Sequence, residues 1–161
     1  MNAYDVLKDH HRVLRGLCAT ISAAPAGSAE RRSALDELLV ELDIHMRIED
    51  DLYYPAMAAA THLIAVAHAE HRQVFDQLAT LLGTSPTAAQ YEDEWHAFVS
   101  VLDAHATEEE RDLVPPPTPV DLTDDELDAL GRDMAATIDK LRNSSRHRLH
   151  VRTRARLLRA L

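Results

Sequence analysis

The sequence predicts an all-α protein, an up-down-up-down four-helix bundle followed by a C-terminal fifth helix. Three observations carry this prediction. The composition holds only four Gly, with 46% hydrophobic residues and an abundance of Ala, Leu, Glu, Asp and Arg, which favours helix over sheet. Apolar residues recur at three-and-four spacing over long stretches, the pattern of a core-facing helical stripe. Breakers separate those stretches: PAGS at Pro25 to Ser28, Gly83 to Pro86, and PPPTP at Pro115 to Pro119, where Pro and Gly end regular structure. A chain of 161 residues is long enough for one core.

The first helix runs from about Ala3 to Ala23 and puts Val6, His10, Val13, Leu14, Leu17 and Ile21 on one face. Ser28 is the expected N-cap of the second, which spans roughly Ala29 to Ala60 and turns Leu35, Leu38, Leu39, Leu42, Met46 and Leu52 inward. The third starts at Thr61 and carries Ile64, His71, Val74, Phe75, Leu78 and Leu81 before Gly83. The fourth follows Pro86 and carries Trp95, Phe98, Val99, Leu102, His105, Glu109 and Leu113. The prolines after it stop it, because they donate no backbone hydrogen bond. Thr123 and Glu126 form a capping box for a fifth helix to about Asn143. Residues 1–115 are thus expected to form the bundle, and 120–161 a helix and basic tail packed on it or trailing from it.

A net charge of −10 argues against a nucleic-acid binder. All 27 acids lie at or before Asp139, beside nine bases, while Lys140 to Leu161 holds the other eight bases and no acid. The tail is expected to fray or lie on its own acidic body, with docking of a protein partner or a second copy as the alternative. Cys18 is the single cysteine, so no internal disulfide forms and an inert buried thiol is expected. No apolar run reaches the length of a membrane span, and the start MNAYDVLKDHHR is too polar for a secretory signal. The expected location is cytoplasmic.

Charge-bearing residues interrupt the inward stripe. In ELDIHMRIEDDLYYP, His45 and Glu49 stand four apart, one above the other on a helix. A carboxylate aimed at an apolar core is costly unless it is paired or holds a metal. The pattern recurs 60 residues on, in VLDAHATEEERDLVP, as His105 and Glu109, and Pro115 follows His105 by ten as Pro55 follows His45. His10 and His71, 61 apart, fall at similar depth on the remaining helices when positions are measured from the turns at about 1.5 Å per residue. Four histidines and two glutamates suit a dinuclear centre, two His per metal with both Glu spanning the pair. A single zinc needs only four ligands.

The DH of KDHHRVL, the HMRIEDDLYYP run, the EH of AEHRQVF and the HATEEERDLVP run resemble the hemerythrin-like, HHE cation-binding proteins. The likeness covers about Tyr4 to Pro115 and is to the actinobacterial H…HxxxE…H…HxxxE type. It implies two iron ions, bridged by an oxo or hydroxo group, with His10, His45, Glu49, His71, His105 and Glu109 as ligands. It further implies chemistry on a small oxidant: catalase- or peroxidase-like removal of hydrogen peroxide, or nitric oxide detoxification. The alternative is a non-enzymatic module that binds O2 or NO, or senses iron or redox state, with the basic tail as output.

The chain departs from the oxygen carriers of that family. They have a second histidine one turn after the third-helix histidine, where Phe75 stands, and end the fourth helix with HxxxxD, where this chain has HxxxE followed by Glu110. The missing histidine argues against reversible oxygen carriage and leaves one iron short of a ligand. Tyr53, Tyr54 or solvent is expected there, or else the tyrosines are packing residues. On an ideal helix Tyr53 faces the site, but Pro55 crowds the carbonyl four residues back. A π-bulge there slips the phase by one residue and favours Tyr54. His11, about 100° round the helix from His10, is expected at the surface or behind the ligands, as are His62, His68 and His96. His147 and His150 belong to the tail. Glu41 is expected either to accept the second N–H of His45 or to form an exposed salt bridge.

Overall fold

A computed structural model describes residues 1–117 and 119–160. Helix α1 covers Ala3–Ala23 and begins in a capping box, Asn2 with Asp5. Gly27 turns the chain with φ 72°, a conformation open to Gly because it lacks a Cβ. The Ser28 side chain then accepts the Arg31 N–H and opens α2, Ala29–Ile48. There the second helix, expected to run unbroken to Ala60, changes pitch. A π turn occupies Glu49–Tyr53, followed by α3 over Tyr54–Ala56 and a 3-10 turn over Ala58–Ala60. The cause is Pro55, which donates no hydrogen bond and crowds the Asp51 carbonyl. The widened turn makes room, and the Tyr54 N–H bonds the carbonyl of Glu49, five residues back.

Helices α4, Thr61–Gly83, and α5, Tyr91–Asp112, form the second hairpin. The chain continues as α6, Asp124–Arg142, behind the Thr123–Glu126 capping box, and α7, Ser145–Arg159, capped by Ser144. No strand occurs among the described residues. Helix α1 packs on α2, α4 on α5, and α1 meets α5, which makes the four-helix bundle. Leu7, Leu14, Ile21, Leu38, Leu42, Trp95 and Phe98 fill its interior, and the Trp95 indole donates to Ser22 Oγ at 3.0 Å.

The two C-terminal helices close the bundle's outer grooves. Helix α6 lies over α1 and α2, and α7 over α2 and α4. The tail, expected to fray or lie on its own acidic body, is a helix lying on that body, because α2 supplies partners for its charges. His147 Nε2 lies 2.8 Å from Asp43, Arg148 2.8 Å from Glu37 and Arg154 3.2 Å from Asp43. Phe75 packs in this seam with Leu39, Leu42 and Val151, under the Arg154 guanidinium at 6.0 Å. No described helix is long and apolar enough to cross a membrane.

Candidate metal centre

Five ligand-type side chains meet inside the bundle: His11 from α1, His45 from α2, Glu49 from the π turn, and His105 and Glu109 from α5. One nitrogen or oxygen of each lies within 4.8 Å of all the others, and all five residues are buried. His71 of α4 adjoins them, its Nε2 2.9 Å from Glu49 Oε2. The four-residue steps from His45 to Glu49 and from His105 to Glu109 bring each pair to one face of its helix. That is how two short sequence runs converge on one point.

His10, expected among the metal-facing residues, sits elsewhere. Its Nε2 lies 2.9 Å from Glu41 and its Nδ1 3.3 Å from His45 Nδ1, so both ring nitrogens are engaged. His11, expected outside the site, is fully buried, with Nε2 3.2 Å from Glu109 and 3.9 Å from Glu49. The physical reason is that α1 is covered on two sides, by its bundle partners and by α6, so burial alone does not mark its inward face. A signal in the sequence did mark it. His45 to His105 and Glu49 to Glu109 are both steps of 60, and 60 before His71 is His11, not His10.

The π turn decides the two tyrosines. The Tyr54 hydroxyl lies 3.1 Å from His71 Nε2, at the edge of the cluster. Tyr53 points to the opposite hairpin and donates to the Leu113 carbonyl at 2.5 Å. Both are buried. His68 stands beside His71 and Asp50 in a partly exposed group.

Each imidazole of the cluster is oriented from behind. Glu110 contacts His11 Nδ1 at 2.9 Å and is itself held by Arg15 at 2.8 Å. Glu70 contacts His105 Nδ1 at 3.1 Å, whereas His71 Nδ1, 3.4 Å from Asp50, makes no hydrogen bond. Behind His45 stands a chain of groups, His10, then Glu41, then Arg142 of α6, which grips Glu41 at 2.6 and 2.8 Å. Such partners fix the tautomer and aim the other ring nitrogen at a metal. Burial disfavours the Glu41 charge, but His10 and Arg142 outweigh it and hold its carboxyl down at about 2.

The interior electrostatics suit a cation. Burial, aided by the charge of His11, keeps His45 well below the usual imidazole range, in the neutral form that binds metals. Burial opposes the Glu49 charge as well, yet close contact with His71 and the nearby His105 keep it ionised. Burial and the charges of Glu49 and Glu109 push the Tyr54 phenol far above its ordinary value, an effect that a bound cation reverses. The decisive test of fit is polar satisfaction. His11 Nε2, His45 Nε2, His105 Nε2 and all four carboxylate oxygens of Glu49 and Glu109 are buried without a hydrogen-bond partner. They lie close together but are not aligned to bond one another. Three imidazole nitrogens and four carboxylate oxygens left so would be prohibitive in an apolar core, and they are the donor set of a transition-metal site.

Comparison with known proteins agrees. The family model of the hemerythrin HHE cation binding domain matches residues 2–116. Uncharacterized proteins of Mycobacterium tuberculosis and Mycobacterium bovis are 58% identical over 161 residues, the whole of both chains. The crystal structure of a hemerythrin HHE cation-binding-domain protein from Mycobacterium kansasii superposes with a TM-score of 0.91 at 58% identity, over 100% of this chain and 99% of that one. With its duplicated HxxxE hairpins and its buried His and Glu cluster, the chain belongs to the hemerythrin HHE cation-binding family.

Proposed function

We propose that this centre holds two iron ions and acts on small oxidants, with hydrogen peroxide as the leading substrate and nitric oxide as the second. The observation that carries the reading is the division of Glu49. Its Oε1 lies 3.0 Å from His45 and 3.9 Å from His11, while its Oε2 lies 2.9 Å from His71 and 3.8 Å from His105. A carboxylate whose two oxygens face two histidine pairs is placed to bridge two metals. On this reading His11 and His45 would hold one iron, His71, His105 and Tyr54 the other, and Glu49 and Glu109 would be shared between them.

Such a pair, when bound, supplies a two-electron change between diferrous and diferric states, matched to peroxide, which can both take and give two electrons. Disproportionation of two peroxides to two waters and one dioxygen therefore needs no outside reductant. The protein's own part is orientation and exclusion of water. Glu110, Glu70 and the His10–Glu41–Arg142 chain aim the imidazoles. Tyr54 brings a hard oxygen donor against His71, favouring the oxidised metal over a reduced form that waits for O2. Phe75, turned into the seam under α7, offers no ligand.

Protein purified aerobically from iron-replete cells is expected to carry two irons per chain and to release dioxygen from peroxide over many turnovers. Reversible ligand binding without turnover would instead favour a binding or sensing module. A normally folded protein isolated without metal, or with a single zinc, would overturn the dinuclear assignment.

A further inference from the structure

At the other end of the bundle the α1–α2 and α4–α5 turns meet the end of α7. A cavity of about 510 Å³ opens there, lined by Arg31, Arg32 and Arg159 together with Leu35, Leu81 and Tyr91. Its size falls within the range of small-molecule sites, roughly 300–1,000 Å³. Arg31 and His45 are both on α2, 14 residues apart, or roughly 21 Å at the helical rise, so the cavity is separate from the metal centre.

Three arginines line this cavity in a chain of net charge −10, and the acidic partners among the described residues do not match them. Among the described residues Asp36 is the one carboxylate in the lining. Arg31 is 6% exposed. Its Nη1 lies 2.7 Å from Glu92, but Nε and Nη2 are buried without a hydrogen-bond partner. Those two nitrogens are closed off from the cavity by the surrounding protein, so Arg31 contributes positive charge to the cavity from its wall. The Tyr91 and Trp95 rings, 5.8 and 5.9 Å from its central carbon, hold the Arg31 group in place. Arg32 donates to the Gly27 carbonyl at 2.6 Å, a neutral partner. Among the described residues neither Arg32 nor Arg159 makes an ion pair.

Positive charge alone would suit any anion. Here the same cavity has a wall made by Leu35, Leu81, Leu82, Pro86 and the Tyr91 ring. We propose that this cavity binds a small organic anion, its carboxylate or phosphate held by the arginines and its apolar body lying on that wall. The site is independent of the chemistry at the metal centre.

The test is calorimetric titration of the full metal-loaded chain with phenylacetate, phenyl phosphate and inorganic phosphate. One of the two aryl anions should saturate a single site, and the better of them names the head group. Inorganic phosphate should bind about tenfold more weakly or worse, for want of apolar contact. Arg159→Gln alters an exposed side chain and should leave the melting temperature unchanged, while weakening aryl-anion binding by about fivefold or more. Arg31→Gln should weaken it further. If Arg31→Gln fails to fold, Arg32→Gln takes its place with the same expectation. Absence of saturable aryl-anion binding would overturn the proposal, as would binding unchanged in these variants. Equal affinity for inorganic phosphate would overturn the role of the apolar wall.

Discussion

Tyr53 and Tyr54 are adjacent in the chain and have different partners, which makes them a matched pair for testing the site. Tyr53 donates to the Leu113 carbonyl, so Tyr53→Phe leaves a buried acceptor unpaired and should cost about 1–3 kcal/mol of stability. It should leave the metal spectrum as it is. Tyr54 touches His71, so with the proposed iron pair bound, Tyr54→Phe should abolish phenolate-to-ferric charge transfer in the visible region without loss of metal. Loss of the band in Tyr53→Phe and not in Tyr54→Phe would show the reverse assignment. A spectrum unchanged in both variants would give that coordination position to solvent. Cys18 supplies a pH prediction. Burial, with the Asp103 charge adding to it, pushes its thiol up to about 11. Since the thiolate is the nucleophile, iodoacetamide alkylation of folded protein should be slow at pH 8. It should rise about tenfold per pH unit without levelling off before pH 10. Fast alkylation at pH 8, with a plateau near 9, would mean that the thiol is open to water.

Among the elements, the π turn and α6 act on the site from opposite sides. The turn at Glu49–Tyr53 advances the phase so that Glu49 and Tyr54 both reach the centre, which a regular helix through Pro55 does not allow. Helix α6 brings Arg142 to Glu41 and so acts on His45 through His10. It can do so because Gly131 lets it approach the start of α1. A Cβ there would lie 2.6 Å from the Asn2 carbonyl carbon and 2.7 Å from the Met1 carbonyl oxygen. Both are backbone atoms that cannot swing aside. Gly131→Ala should gain about 1 kcal/mol of helix propensity but lose more, because overpacking costs about 1–3 kcal/mol and here displaces a whole helix. Thermal unfolding should therefore show a lower melting temperature. A higher one would mean that the N-terminus moves away freely.

For the molecule as a whole, the metal site is an internal cost that metal binding offsets. Glu49 and Glu109 place two carboxylates in the core among buried imidazoles, with their oxygens lacking hydrogen-bond partners, and like charges brought together oppose folding. Ions that bind only the folded state add stability by mass action, about 2.7 kcal/mol at a hundred times the dissociation constant. For a chain of this length that corresponds to roughly 5–10 °C. Chelation should lower the melting temperature by about that amount, and iron should restore it. Equal melting temperatures with and without metal would show that the polar cluster is satisfied by itself.

The sequence by itself determined the helix count of the bundle, its breakers, and the two HxxxE hairpins. These are local: apolar spacing, caps and prolines act over a few residues, and a 60-residue repeat of His45, Glu49, His105 and Glu109 survives in the letters. Applied throughout, that same step already pointed to His11. What the sequence left open depends on which faces of a helix are covered. His10 and His11 are both buried because α1 has α6 on one side and the bundle interior on the other, so only the packed structure shows that His11 joins the His and Glu cluster and that His10 stands behind His45. Tertiary structure likewise decided which of Tyr53 and Tyr54 stands beside His71, because the response to Pro55 could be a kink, a break or a widened turn. It also decided where the basic tail meets the acidic body, at Glu37 and Asp43 across more than 100 residues of chain. Contacts of that separation leave no periodicity to read, because they are set by how helices stack and not by how any one of them is written.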